Sequence, residues 1–190
     1  MTVRDLPEKP AARAQAGDVA GGVVPLAQGF AEDFANRWQV AWNSRRPEEV
    51  TALCTDDVVW DDPLTEQPER GKAAVTEYLE SVWRTFPDLH FTWPEGPYCS
   101  FGGTKLACHW RVTGAMLGPA DPGFAPTGRS IVADGVDLLE LRDGLVCNYV
   151  GFFDARGMAQ QIGVLPPPGS RAERLAVRVQ RLGARLRRGK

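Results

Sequence analysis

The spacing of hydrophobic residues changes near Pro87 from a mainly helical period to a period of two. Before that point aromatic side chains recur every four residues from Phe30 to Trp42, and a second helical pattern runs from Val75 to Phe86, so two helices are predicted. After it, apolar and polar residues alternate, which is typical of strands. Four strands are predicted, near residues 89–98, 104–116, 129–142 and 145–153.

Turn and capping residues complete this pattern. Pro47 followed by two acids suits the first turn of a short helix, and a strand that ends at Asp62 follows it. Gly102-Gly103 and Asp143-Gly144 mark two hairpin turns. Helices followed by long antiparallel strands indicate an α+β domain whose helices cover one face of a curved sheet. Such a cone can enclose a pocket.

Composition divides the chain into three zones. Residues 1–24 show no regular period and are expected to be a disordered leader, while residues 25–165 form the α+β domain. Residues 166–190 are predicted to be a basic amphipathic tail, because residues 171–190 carry a net charge of +7. The whole chain carries −2, so the remainder carries about −9. This acidic main domain argues against nucleic acid in its cleft.

Several functional classes are disfavoured. No apolar run approaches the length of a membrane span, and the polar start lacks the order of a signal peptide, so a cytoplasmic location is expected. Four cysteines at irregular intervals and only two histidines make a metal centre unexpected.

Asp62 is the first candidate catalytic residue. Side chains alternate along a strand, so its carboxylate points the same way as Val58 and Trp60. A carboxylate against apolar walls has a raised pKa and can act as a general base near neutral pH. The alternative is a turn aspartate, because Asp62 precedes Pro63.

Asp137 is the second candidate. It is the one acid on an otherwise apolar face of the strand predicted at 129–142, and a neutral acid there could donate a hydrogen bond to an oxyanion. Alternatively, a bulge at Gly135 would turn Asp137 toward solvent. His109 lies opposite the face that carries Trp110, so its access to a pocket is left open.

Several segments resemble the SnoaL-like polyketide cyclases and ketosteroid isomerase, within the nuclear transport factor two-like superfamily. The resemblance covers roughly residues 30–163 and depends on the order of five motifs. These are DDVVWDDP at 56–63, PERG at 68–71, PTGR at 126–129, VDLLELRDG at 136–144 and FDARGMAQQIG at 153–163.

The resemblance implies a conical barrel of a curved, mostly antiparallel sheet wrapped around N-terminal helices, with a hydrophobic pocket, no cofactor or metal, and often a homodimer. Asp62 then corresponds to the proton-transferring aspartate of the isomerase, and Asp137 to the protonated acid of its oxyanion hole. Trp38 stands where the isomerase has a tyrosine. The cyclases typically read His-Trp-Asp where this chain has Tyr149-Val150-Gly151, so their second acid is missing.

The leading hypothesis is therefore a cofactor-independent acid–base enzyme, of isomerase or cyclase type, that acts on a hydrophobic carbonyl-bearing molecule such as a polyketide or steroid-like compound. Asp62 and Asp137 are the expected catalytic residues. The expected substrate-binding residues are Trp38, Trp42, Trp60, Tyr78, Trp83, His109 and Tyr149. Epoxide ring opening, and a non-catalytic domain that binds a small molecule or a partner, are the alternatives.

The tail leaves several partners open. Leu175, Val179, Leu182 and Leu186 fall on one side of a predicted helix with arginines around them. This pattern is compatible with a membrane surface, nucleic acid, an acidic protein face, or a solvated tail without a partner.

Overall fold

The computed structural model describes residues 28–100 and 104–188, so the leader predicted at 1–24 and the turn at Gly102-Gly103 lie outside the described residues. Both predicted N-terminal helices and the short helix at Pro47 are confirmed. The helices are α1 (Gln28–Ser44), α2 (Pro47–Thr51), α3 (Gly71–Thr85), α4 (Ala155–Gln161) and α5 (Arg171–Arg188).

Six strands form one curved sheet in the order β2-β1-β6-β5-β4-β3. Only the pairing of β1 with β6 is parallel. The four strands predicted after Pro87 are confirmed to within about a residue at each end. The strands are β1 (Cys54–Asp61), β2 (Glu69–Arg70), β3 (His90–Cys99), β4 (Lys105–Ala115), β5 (Ser130–Arg142) and β6 (Leu145–Phe153). The predicted α+β cone is thus confirmed.

The aromatic stripe of α1 explains how the helix packs. Phe34, Trp38 and Trp42 are buried, and each ring lies within 6.5 Å of the next, measured between centroids. Helix α1 packs on β3, and α3 packs on β1 through its own buried stripe. The two helices therefore close one side of the sheet, and the core lies between them and its inner face.

The turn at Asp143-Gly144 sets the register of the two strands that carry the site. Both residues have positive φ, 54° and 78°, as expected for the tight turn that joins twisted antiparallel strands. This hairpin pairs Asp137 on β5 with Gly151 on β6.

None of the helices within residues 28–100 and 104–188 has both the length and the apolar content that a membrane crossing requires. Helix α5 begins just after the Pro166-Pro167-Pro168-Gly169 break, as predicted for the tail.

Candidate functional site

Asp62 lines the pocket and follows β1 by one residue. Val58 and Trp60 are fully buried on the inner face of β1, and Asp62 continues their alternation with a side chain only 3% exposed. The turn interpretation is also partly right, because Oδ1 of Asp62 accepts a hydrogen bond of 2.9 Å from the Leu64 amide. Asp62 is therefore both a turn residue and a buried acid.

The environment of Asp62 increases its affinity for a proton. Burial raises the pKa of this carboxyl to about 6, against the opposing effects of the Leu64 amide and the Tyr78 hydroxyl. A carboxyl with a pKa near 6 is ionised at neutral pH and can still bind a proton at small free-energy cost. This matches the requirement for a general base.

Asp137 lies on the inner face of β5 and is 2% exposed. Three side chains donate hydrogen bonds to it. The indole of Trp38 donates to Oδ2 over 3.0 Å, and the indole of Trp110 and the hydroxyl of Tyr149 donate to Oδ1 over 2.7 and 3.0 Å. Asp137 therefore connects α1, β4 and β6 through one carboxyl group.

Gly135 makes room for one of these donors. The pairing of β4 with β5 is continuous from Ser130 to Glu140, so the bulge considered at Gly135 is absent from this ladder and Asp137 faces inward. A Cβ placed on Gly135 would lie 2.2 Å from the ring of Trp110. The missing side chain thus lets the indole of Trp110 cross β5 and reach Asp137.

The protonation state of Asp137 reflects two opposing effects. Burial raises its pKa to about 6, and the nearby charge of Asp62 adds to this rise, whereas the three hydrogen-bond donors lower the pKa. All three donors stabilise the ionised form. This arrangement favours a carboxylate at neutral pH, whereas the family resemblance had implied a protonated acid.

Both acids line one pocket. It encloses a cavity of about 50 Å³, enough for a few water molecules. Apart from the two acids and two tyrosines, the lining is apolar. The lining residues are Trp42, Asp62, Leu64, Tyr78, Val82, Phe86, Leu89, Phe91, Trp110, Val112, Ile131, Asp137, Tyr149, Phe153 and Met158.

Of the predicted substrate-binding residues, Trp42, Tyr78 and Tyr149 line this pocket. Three tryptophans expected there do not. Trp60 stacks on Tyr149 with ring centroids 3.8 Å apart, Trp38 is fully buried behind Asp137, and Trp83 is packed in the core. These three rings form a layer behind the pocket lining. Their surfaces pack against other core side chains and are not available to a substrate.

His109 lies on the opposite face of the sheet from the pocket. Its Nδ1 is 3.2 Å from a carboxylate oxygen of Glu95, and its Nε2 is 3.9 Å from Asp134. His109, predicted to bind substrate, is therefore not among the residues that line the pocket. The reason is strand alternation, because Trp110 is the residue of this pair that points inward.

Sequence reasoning missed Trp110, which both lines the pocket and holds Asp137. It also missed Met158 of α4 and Phe153 of β6, which line the pocket too. The one usable signal for Trp110 was Gly135, a glycine in mid-strand two residues from a buried acid.

The position of the missing cyclase acid is filled by Tyr149. A Cβ placed on Gly151 would lie 2.9 Å from the Tyr149 hydroxyl oxygen and 3.4 Å from Oδ2 of Asp62. Burial raises the pKa of Tyr149 well above its ordinary value, so this hydroxyl remains protonated. The chain therefore presents a neutral donor beside Asp62.

Known structures share this architecture. TsrD from Streptomyces laurentii is 21% identical with a TM-score of 0.62, over 74% of this chain and 99% of that one. A protein from Jannaschia, provisionally named a SnoaL-like polyketide cyclase, is 20% identical with a TM-score of 0.64, over 73% and 95%. A protein with a ketosteroid isomerase-like fold from Catenulispora acidiphila is 15% identical with a TM-score of 0.59, over 72% and 99%.

These identities establish the fold alone. No curated protein sequence matches this chain. The family model for the SnoaL-like domain matches residues 35–149, which is more than half of the chain and includes both buried acids. The chain therefore belongs to the family of SnoaL-like domains.

Proposed function

We propose that this protein catalyses cofactor-independent proton transfer on a hydrophobic, carbonyl-bearing small molecule, of the kind exemplified by polyketides and steroid-like rings. One observation carries the proposal: Asp62 is an almost fully buried acid with a pKa raised to about 6, on a pocket whose walls are otherwise mainly apolar. Membership of the SnoaL-like family supports an enzyme of isomerase or cyclase type.

Asp62 is the base in this proposal. Its Oδ1 accepts the Leu64 amide, while Oδ2 would lie 3.4 Å from a Cβ placed on Gly151. Oδ2 would remove a proton from the carbon next to the substrate carbonyl, leaving an enolate. The same oxygen would return that proton to another carbon in an isomerisation. General base catalysis of this kind contributes roughly 10²- to 10⁴-fold.

Tyr149 is the proposed donor to the enolate oxygen. In the ionised state of Asp137 the Tyr149 hydroxyl donates to that carboxylate. When Asp137 binds a proton, its own O–H can donate to Tyr149, and the phenolic O–H becomes free to turn toward substrate. With a pKa of about 6, protonation of Asp137 at pH 7 costs about 1.4 kcal/mol. Asp137 thus keeps its predicted part in the oxyanion hole, acting through Tyr149.

Trp42 provides a second reason to expect an oxygen-bearing ligand. It lines the pocket, and its indole N–H is buried with no hydrogen-bond partner among the described residues. A buried donor without a partner is costly, and a substrate carbonyl or hydroxyl would satisfy it. We therefore assign substrate orientation to Trp42.

One pair of experiments seeks the substrate and tests the proposal. Native mass spectrometry of the purified protein identifies retained ligands, and a panel of polycyclic ketones in deuterated water then reports exchange of the protons next to the carbonyl. We expect the wild-type protein to accelerate exchange on at least one of these ketones. Asp62→Asn should abolish the acceleration and still bind that ketone.

The matched control is Asp61→Asn, because Asp61 is the adjacent acid on the opposite face of β1. It should retain exchange activity, with a small change in rate, because the charge of Asp61 contributes to the raised pKa of Asp62. Full exchange activity in Asp62→Asn would remove Asp62 from the mechanism, and binding without any exchange by the wild-type protein would favour a ligand-binding domain.

Epoxide ring opening is a second candidate, favoured by the coexistence of two acids of pKa about 6 on a cavity that can hold a few waters. Here Asp62 would take a proton from water as that water attacks the epoxide carbon, and a protonated Asp137 would, through Tyr149, supply the proton to the released oxygen. Incorporation of labelled oxygen from water into a diol separates this reaction from proton transfer.

A further inference from the structure

Helix α5 extends from the domain and has few contacts with it. Those contacts lie at its first turn. The Ser170 hydroxyl accepts the Glu173 amide, the Glu173 carboxylate accepts the Gly169 amide, and Arg156 lies 3.6 Å from the same carboxylate. Beyond Glu173 the described side chains are exposed except for the partly covered Gly183 and Ala184. The helix start is therefore anchored and its body is open.

The body of α5 has an apolar face on which none of the described residues packs closely. Each residue of an α-helix turns by 100° about the helix axis, so Leu175, Val179 and Leu182 fall within about 60° of each other around α5. These side chains are 62%, 64% and 61% exposed. Three large aliphatic groups aligned on one exposed helix face are expected to be covered in the functional state.

The cationic face lies directly beside this apolar face. Five arginines of the described part of α5 fall within about 80° of arc that adjoins the apolar one, and they are all exposed. These are Arg171, Arg174, Arg178, Arg181 and Arg185. Residues 171–190 carry +7 while the rest of the chain carries about −9, so positive charge is concentrated on this one helix.

We propose that α5 docks on the surface of an anionic lipid bilayer, lying in the interface plane with Leu175, Val179 and Leu182 inserted below the headgroups. Guanidinium groups beside the apolar face then reach the lipid phosphates and carboxylates, which they bind strongly. Nucleic acid would engage the arginines and leave the apolar face in water, so a lipid surface accounts for both faces together. The acidic domain stays on the aqueous side, since an anionic surface repels it.

The test uses the full-length chain and vesicles of phosphatidylcholine, with or without a minority of phosphatidylserine, in a sedimentation assay. We expect binding only to the phosphatidylserine vesicles, and we expect added salt to weaken it. Each arginine near an anionic leaflet contributes about fivefold, so replacing Arg174, Arg178 and Arg181 by glutamine should weaken binding about a hundredfold.

The apolar face is tested separately. Replacing Leu175, Val179 and Leu182 by serine should weaken vesicle binding at least tenfold. Val177→Ser is the matched control, because Val177 is an aliphatic residue of the same helix on a different face, and it should bind as the wild type does. Circular dichroism verifies that each variant keeps its fold.

Three outcomes would overturn the proposal. The first is no vesicle binding at low salt. The second is vesicle binding that needs the arginines and ignores the serine substitutions, particularly with tighter binding to a labelled DNA duplex, which would assign the helix to nucleic acid. The third is self-association in sedimentation equilibrium that depends on Leu175, Val179 and Leu182 without vesicle binding, which would assign this face to a second copy of the chain.

Discussion

The hydroxyl of Tyr149 donates a hydrogen bond of 3.0 Å to Oδ1 of Asp137, and a Cβ on Gly151 would lie 2.9 Å from that same hydroxyl oxygen. The Tyr149 hydroxyl therefore lies between Asp137 and the space beside Asp62. Once Asp137 binds a proton and no longer accepts from Tyr149, the phenolic O–H can donate to a charge that develops on a substrate oxygen.

Tyr149→Phe should lower kcat by roughly 10²- to 10³-fold, because it removes one donor to the developing oxyanion and keeps the ring that stacks on Trp60. The measurement is steady-state turnover on a substrate found by the exchange screen. Tyr98→Phe is the control, since Tyr98 is an exposed tyrosine on β3. Unchanged kcat in Tyr149→Phe would show that the oxyanion donor is another group.

The pH dependence of activity follows from Asp62 and Asp137. A base must be ionised to accept a proton, and burial raises the pKa of Asp62 to about 6. Asp137, whose pKa is also about 6, must hold a proton to free the Tyr149 hydroxyl. We therefore expect kcat/KM to peak near pH 6, because it rises as Asp62 ionises and falls at higher pH as Asp137 loses its proton. A profile that is flat from pH 5 to 8 would contradict the assignment of Asp62 as the base.

The stability of the fold should also depend on the ionisation of Asp62, but it should fall over the pH range in which Asp62 ionises. The pKa of Asp62 is higher in the folded state than the unfolded value of about 3.9, so between pH 4 and 6 the folded state binds more protons and stability falls as pH rises. Asp62→Asn removes this effect. Urea unfolding should therefore show the wild type losing about 1 to 3 kcal/mol relative to Asp62→Asn across that window. If the difference in unfolding free energy between the two proteins stays constant from pH 4 to 6, the pKa of Asp62 is close to its ordinary value.

Trp38→Phe should destabilise the fold through the loss of a hydrogen bond to a charged group. That bond is worth about 1.5 to 3 kcal/mol, in addition to the packing lost with the smaller ring. Trp83→Phe is a matched control, because Trp83 is a buried tryptophan whose indole N–H has no hydrogen-bond partner among the described residues. Urea unfolding at pH 7 compares the two. Equal destabilisation would mean that the bond to Asp137 adds nothing.

Gly151→Ala should reduce both stability and activity, because the added methyl group would press on the Tyr149 hydroxyl and stand next to Asp62. Overpacking of this kind costs about 1 to 3 kcal/mol. Gly183→Ala in α5 has no neighbour within 4 Å of the added Cβ and should be neutral or slightly stabilising. Wild-type turnover in Gly151→Ala would show that the hydroxyl does not need its observed position.

Much of the fold was predictable because local patterns and packing agree. The four-residue aromatic spacing of α1 and the alternation of β4, β5 and β6 each describe a surface that has to be buried against another element. Asp62 and Asp137 were predictable for the same reason, since strand alternation alone places them on the inner face.

Roles that depend on long-range contacts were not predictable. Trp38 was expected to contact substrate, but its indole is taken by Asp137, a residue distant in sequence. The three donors to Asp137 come from α1, β4 and β6. They lower the pKa of Asp137 only because the fold brings all three to one carboxyl group. Alternation along β4 predicts that Trp110 and His109 point to opposite faces. It does not predict which of these faces lines the cavity, because that depends on how the whole sheet packs.

The bare backbone at Gly135 has a consequence for engineering this protein. A search for stabilising substitutions would normally replace a mid-strand glycine with a β-branched residue, and here that change would drive the Trp110 indole off Asp137. Gly135 is not among the residues that line the pocket, yet its substitution would remove a hydrogen-bond donor from the buried acid. Attempts to stiffen this strand would therefore damage the pocket indirectly.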